Sequence, residues 1–132
     1  MVIDTSALIT VLFNEPDAER YEETIDRGPS RLMSVASALE AVIVLESRFG
    51  DTGAQELDLL IHRLPIQLVA VDLDQLEWAR LAFRRFGRGR HPASLNFGDC
   101  FSYALAKVTG EPLLYKGNDF SQTDLPGVLD AT

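Results

Sequence analysis

An α/β fold with a short parallel sheet is what this sequence predicts, and three observations predict it. Brief apolar runs ("MVID", "RLMSV", "IQLVAV", "LLYK") recur between longer amphipathic stretches, glycine or proline punctuates most junctions, and no repeat, linker or low-complexity tract interrupts the alternation. Strands this short, separated by helices, bury both faces of a parallel sheet, and right-handed crossovers then restrict the topology. The 132 residues form one expected domain, 1–132, since 14.6 kDa supports a real core but not two.

The elements follow in order. After the strand "MVID" comes a helix over "SALITVLF" and a second over "EPDAERYEETIDRG", with Pro16 at its first position and Gly28 at its end. The strand "RLMSV" leads into a long helix through Phe49 that Gly50 can close, with Ser37 and Glu40 in capping-box spacing at its start. "DTGAQELDLLIHRL" is helical up to Pro65, and "IQLVAV" is the third strand. The helix "DLDQLEWARLAFRRFG" carries Asp74 and Glu77, again in capping-box spacing, and "GRGRHPAS" is a glycine-rich loop. Asn96 caps the helix "LNFGDCFSYALAKVTG", placing Asp99 at its third position. Gly110 and Pro112 end it before the strand "LLYK", and a short strand around "GVL" is expected last.

Composition narrows the class. With 46% hydrophobic and 24% charged residues the chain reads as an ordinary globular protein. A single cysteine, Cys100, excludes an internal disulfide framework and fits a reducing compartment. The start lacks the pattern of a signal peptide and "AVIVL" is too short to cross a bilayer, so a cytoplasmic location without membrane attachment is expected. A net charge of −8 argues against wrapping nucleic acid with the whole surface, yet Trp78 to Gly98 contains no acid and holds Arg80, Arg84, Arg85, Arg88, Arg90 and His91.

In parallel sheets ligands bind beyond the carboxyl ends of the strands, and four carboxylates are expected there. Asp4 ends the first strand, Glu40 and Asp99 begin helices, and Asp119 follows "LLYK". Each has an ordinary role available, as a helix cap or a turn residue. Together they repel one another unless a cation or shared proton relieves them. Oxygen donors without a Cys/His set favour Mg²⁺, or Mn²⁺, over zinc.

"MVIDTSAL", "ASALEAVIVLESR", "LNFGDCFSYALAK" and "LLYKGNDF" resemble, in order and over nearly the whole chain, the acidic motifs of PIN-domain ribonucleases, specifically the small VapC-type toxins of toxin-antitoxin pairs. The resemblance implies a three-layer α/β/α sandwich and an endoribonuclease using metal-activated water, leaving a 5′-phosphate and a 3′-hydroxyl. It implies Asp4, Glu40 and Asp99 as the main catalytic and metal-binding acids, Asp119 as the fourth with Asp124 as its substitute, and Ser6 as support. It also implies a VapB-type antitoxin, whose tail covers the site, and a homodimer.

An acidic cleft needs basic groups to hold an RNA backbone, and Arg84, Arg85, Arg88, Arg90, His91 and Lys116 are the candidates, the alternative for the arginines being a solvated helix face. Phe83 and Phe86, at helical spacing, are expected in the core, as is Cys100. Three rival classes fit less well. A phospho-accepting domain wants adjacent acids after strand one, and a metal-dependent adhesion module wants D-x-S-x-S where "DTSAL" ends in Leu8. A catalytically degenerate PIN-like module that binds RNA or protein is the remaining alternative, separated by metal-dependent cleavage.

Overall fold

Two-residue β1 (Val2–Ile3) is the centre of the architecture in the computed structural model, which describes residues 1–129. Positions 130–132, the end of the expected domain, lie outside the described residues. β1 pairs in parallel with β2 (Leu32–Ser34) on one side and β4 (Leu113–Leu114) on the other, and β2 pairs in parallel with β3 (Gln67–Val69). The order is therefore β3-β2-β1-β4, and the chain reverses its direction of winding between β1 and β4. That reversal opens a crevice beyond the carboxyl ends of these two strands.

Helices cover both faces. α1 (Thr5–Leu12), α2 (Ala18–Arg27), α3 (Val35–Phe49) and α4 (Gly53–Arg63) bury Leu8, Ile25, Leu45 and Leu57 with Ile3, Met33 and Leu114 of the sheet. α5 (Leu73–Phe86) and α6 (Phe97–Thr109) bury Phe86, Tyr103 and Leu105 with Val2 and Leu113. Neighbouring strand residues thus point into different cores, as the two-residue period of a strand requires, and the result is the expected α/β/α sandwich.

Four local readings are corrected. α3 starts at Val35 with Ser34 as its cap, accepting from the Ala36 N–H at 3.2 Å, so Ser37 and Glu40 form no capping box. The strand ends in a serine that caps directly, which moves the helix start back and leaves Ser37 inside it. α5 is capped by Asp72, which accepts from the Gln75 N–H at 2.9 Å, while Glu77 pairs with Arg80. α2 begins at Ala18 with Asp17 as the residue before it, so Pro16 precedes the helix and does not occupy its first position. "GVL" contributes one bridge, Gly127 to Leu113, rather than a strand, because Pro126 supplies a carbonyl but has no N–H to extend the ladder.

Candidate functional site

Asp4 leaves β1 and caps α1, so its carboxylate is fixed at the mouth of the crevice. Its Oδ2 accepts from both the backbone N–H (3.0 Å) and hydroxyl (2.7 Å) of Ser6, and its Oδ1 accepts from the Ser102 hydroxyl at 2.6 Å. Ser6 Oγ in turn accepts from the Lys116 N–H at 2.9 Å, tying the end of β4 to the start of α1. Only 3% of Asp4 is exposed, so a carboxylate is held almost out of water by two hydroxyls and one backbone N–H. Ionised oxygens bonded to aligned donors tolerate such burial.

Asp99 enters from α6. The expected capping box is present: Asn96 accepts from the Asp99 N–H at 2.9 Å, and Asp99 Oδ2 accepts from the Asn96 N–H at 3.0 Å. Burial pushes the Asp99 carboxyl up to about 7, opposed by that Asn96 bond and reinforced by the charges of Asp4, Asp119 and Glu40. All four sequence-predicted acids therefore share one electrostatic neighbourhood. Half-buried Glu40 reaches it from α3, and exposed Asp119 follows β4.

Gly98 carries no local sequence signal. A Cβ there would lie 2.2 Å from Glu40 Oε2, so the missing side chain lets the Glu40 carboxylate rest against the first turn of α6. Ser102 and Ser37 also escape a sequence reading of the site; their hydroxyls lie 3.2 Å apart, and the Ser37 carbonyl accepts from Thr5 Oγ1 at 3.0 Å. The only sequence signal for Ser102 is its place one turn after Asp99 on the same helix. Asp124 lies elsewhere: it accepts from Tyr103 Oη at 2.8 Å and from Lys107, with Arg85 at 3.8 Å.

The basic candidates divide. Arg84, Arg88 and Arg90 are exposed and, among the described residues, form no ion pair. Arg85 faces Asp124 and lies over the Phe86 ring, and Lys116 pairs with Asp17. His91 accepts from the Ala93 N–H through Nδ1 at 3.0 Å and meets Phe86 edge-on. Phe86 and Cys100 are buried as expected, but Phe83 is 42% exposed, a correction to its expected place in the core. It lines an open groove against α6 with Phe97 and Phe101 instead of being buried beneath that helix.

Among the described residues, no three Asp, Glu, His or Cys side chains already close on one ion position. The donor set nonetheless fits a hard divalent cation. It is all carboxylate oxygen, the capping bond engages only Oδ2 of Asp99, and the gap at Gly98 accommodates Glu40.

The PIN-domain family pattern matches residues 1–125. The chain is 61% identical over 128 residues to Ribonuclease VapC of Mycolicibacterium smegmatis, covering 97% of this chain and 99% of that protein. It belongs to the VapC ribonuclease family of PIN-domain proteins. Ribonuclease VapC30 of Mycobacterium tuberculosis is 57% identical, covering 97% of this chain and 98% of the relative. Two solved structures share the fold. The crystal structure of Mycobacterium tuberculosis VapC20, described as a sarcin-ricin loop cleaving toxin, aligns with a TM-score of 0.76 at 18% identity, covering 94% of this chain and 95% of that one. A toxin-antitoxin complex from Klebsiella pneumoniae aligns with a TM-score of 0.71 at 15% identity, covering 93% of this chain and 92% of that one.

Proposed function

We propose that this VapC family member is an Mg²⁺- or Mn²⁺-dependent endoribonuclease, the toxin of a toxin-antitoxin pair, acting in the cytoplasm as one nuclease domain. The observation that carries the reading is the convergence of Asp4, Glu40 and Asp119 on Asp99, whose carboxyl is raised to about 7 first by burial and further by their charges. A bound divalent ion supplies an activated water and stabilises charge on the leaving oxygen. Asp4, Glu40, Asp99 and Asp119 are the residues that would hold it, with Asp119 the fourth acid because Asp124 is engaged by Tyr103 and Lys107.

The chain's own groups do the rest. Ser6 and Ser102 fix both oxygens of Asp4, and the α6 cap fixes Asp99, so the donors are oriented before substrate arrives. Arg84, Arg88 and Arg90 offset the repulsion between an acidic crevice and a phosphodiester, with His91 and Lys116 at the margins. The apolar stripe Val35, Leu39 and Ile43, exposed along α3 beside Glu40, is assigned to homodimer formation, which brings two acidic sites to one RNA-binding groove.

Incubation of the purified chain, freed of any partner, with total RNA tests this reading. Cleavage is expected with Mg²⁺ or Mn²⁺, absent with EDTA, and lost in Asp99→Asn. RNA binding without metal-dependent cleavage would instead establish a degenerate binding module.

A further inference from the structure

Asp124 is a carboxylate that the acid crevice leaves unused, yet it is more closely held than a surface aspartate needs to be. Its Oδ1 accepts from the Tyr103 hydroxyl at 2.8 Å, and its Oδ2 accepts from Lys107 and faces Arg85 at 3.8 Å. The Tyr103 side chain is fully buried, and a phenol taken out of water needs such a partner. The Lys107 ammonium also lies over the rings of Trp78 and Tyr103, 5.7 and 5.6 Å from their centres. Burial works to raise the Asp124 carboxyl, but the bonds from Lys107 and Tyr103 outweigh it and hold the group below the ordinary aspartate range.

The helix that grips Asp124 is the one that builds the crevice. α6 carries Asp99 and, through Ser102, a 2.6 Å bond to Asp4; Tyr103 is the next residue, and Lys107 follows one turn later. Asp124 lies five positions after Asp119 in the segment that leaves β4, and the backbone between them is braced. The Gln122 N–H donates to the Asp119 carbonyl at 3.4 Å, and the Thr123 N–H and hydroxyl donate to the Phe120 carbonyl at 3.0 and 2.7 Å. The Leu125 N–H donates to the Thr123 hydroxyl oxygen at 3.3 Å, and both Phe120 and Leu125 are buried.

Asp119 itself is exposed, and its side chain does not cap the turn it begins, although its charge reaches Asp99. What places this carboxylate is therefore the braced segment around it. A displacement at Asp124 passes along those bonds to Phe120 and Asp119.

We propose that Asp124 is a positioning residue for Asp119: clamped on Tyr103 and Lys107, it registers the segment after β4 to α6 and keeps the fourth acid turned toward Asp99. The assignment rests on the reading of the four acids as a metal site and adds to it how the most exposed of them is aimed. A carboxylate suits the task because it accepts a phenol on one oxygen and a cation on the other, whereas an amide has a single acceptor oxygen and would turn its NH₂ toward the lysine.

The test is calorimetric titration of the purified, partner-free chain with Mn²⁺. Asp124→Ala should lower Mn²⁺ affinity about tenfold. Asp119→Asn should lower it at least as much, and adding Asp124→Ala to that variant should cause no further loss, because Asp124 acts through Asp119. Lys107→Met, which spares the Tyr103 bond, should give a smaller loss of the same kind and decides the matter if alanine at position 124 prevents folding. Unchanged Mn²⁺ affinity in folded Asp124→Ala, with only a lower Tm, would make the cluster a stability element and overturn the proposal. Unchanged affinity in Lys107→Met beside an unfolded Asp124→Ala would overturn it likewise. Losses that add in the double variant would overturn it in favour of a role independent of Asp119. Absence of Mn²⁺ binding by the parent, or full affinity in Asp119→Asn, would instead overturn the four-acid metal reading, and the positioning role with it.

Discussion

Burial, together with the charges of Asp4, Asp119 and Glu40, holds the Asp99 carboxyl near 7, although the Asn96 N–H pulls it down. In the unfolded chain an aspartate titrates near 3.9. Between about pH 4 and 7 the folded protein therefore keeps a proton that the unfolded chain has lost, so this group makes stability rise as pH falls through that window. Above 7 both states are ionised and the full penalty is present. Urea unfolding in EDTA should show the metal-free protein gaining stability from about pH 7.5 to about pH 5, with a smaller gain in Asp99→Asn. Added Mg²⁺ should stabilise more at the higher pH, where the acids are ionised. Two neighbours carry further expectations. Ser102→Ala, which removes a 2.6 Å bond to Asp4, should weaken metal affinity and activity roughly 10- to 100-fold, readable by metal titration of the variant. Gly98→Ala should push Glu40 off the α6 turn and depress cleavage, while the helix propensity of alanine offsets part of the stability cost, about 1 kcal/mol in its favour.

At the scale of elements, legibility follows chain distance. The α6 start can be read because Asn96 and Asp99 satisfy one another within one turn, and the structure has that reciprocal pair. The start of α3 cannot, because Ser34 and Ser37 are both competent caps, and what decides between them is where β2 ends against β1 and β3. Ser102, 98 positions from Asp4, and Gly98, facing Glu40 across two helices, depend on packing that no local pattern encodes. The arginine segment is visible as a run without acids, but its division is not: Arg85 is drawn to Asp124 from the segment after β4. The two halves should behave differently. Replacing Arg84, Arg88 and Arg90 together with alanine should flatten the salt dependence of RNA binding by about one unit of slope for each phosphate no longer neutralised, measured by anisotropy at several salt concentrations. Arg85→Ala should leave that slope nearly unchanged and cost at most about 1 kcal/mol of stability, since its 3.8 Å pair is solvent-exposed.

For the whole molecule, the charge distribution and the parallel sheet act together. The reversal between β1 and β4 gathers carboxylates at one edge of an already acidic protein, while Arg84, Arg88 and Arg90, without an ion pair among the described residues, stand along α5 and the loop after it. No described helix is long and apolar enough to cross a membrane, and apolar residues stand exposed along α3 and between α5 and α6. On the proposed reading, one partner of the chain is an antitoxin that restrains cleavage. A crevice of four carboxylates is blocked most directly by a basic side chain, and arginine is suited to it because its planar fork bonds two carboxylate oxygens at once. Such an inhibitor competes with the divalent ion for the same oxygens. The chain should therefore co-purify with a small, partly basic protein encoded beside it, and inhibition by that protein should weaken as Mg²⁺ or Mn²⁺ is raised. Replacing the inhibitor's site-facing arginine with alanine should remove the metal dependence of inhibition while preserving the complex, because apolar contacts elsewhere still hold it. Inhibition indifferent to metal concentration, by a partner seated away from Asp4, Glu40, Asp99 and Asp119, would show that restraint does not act through the acids.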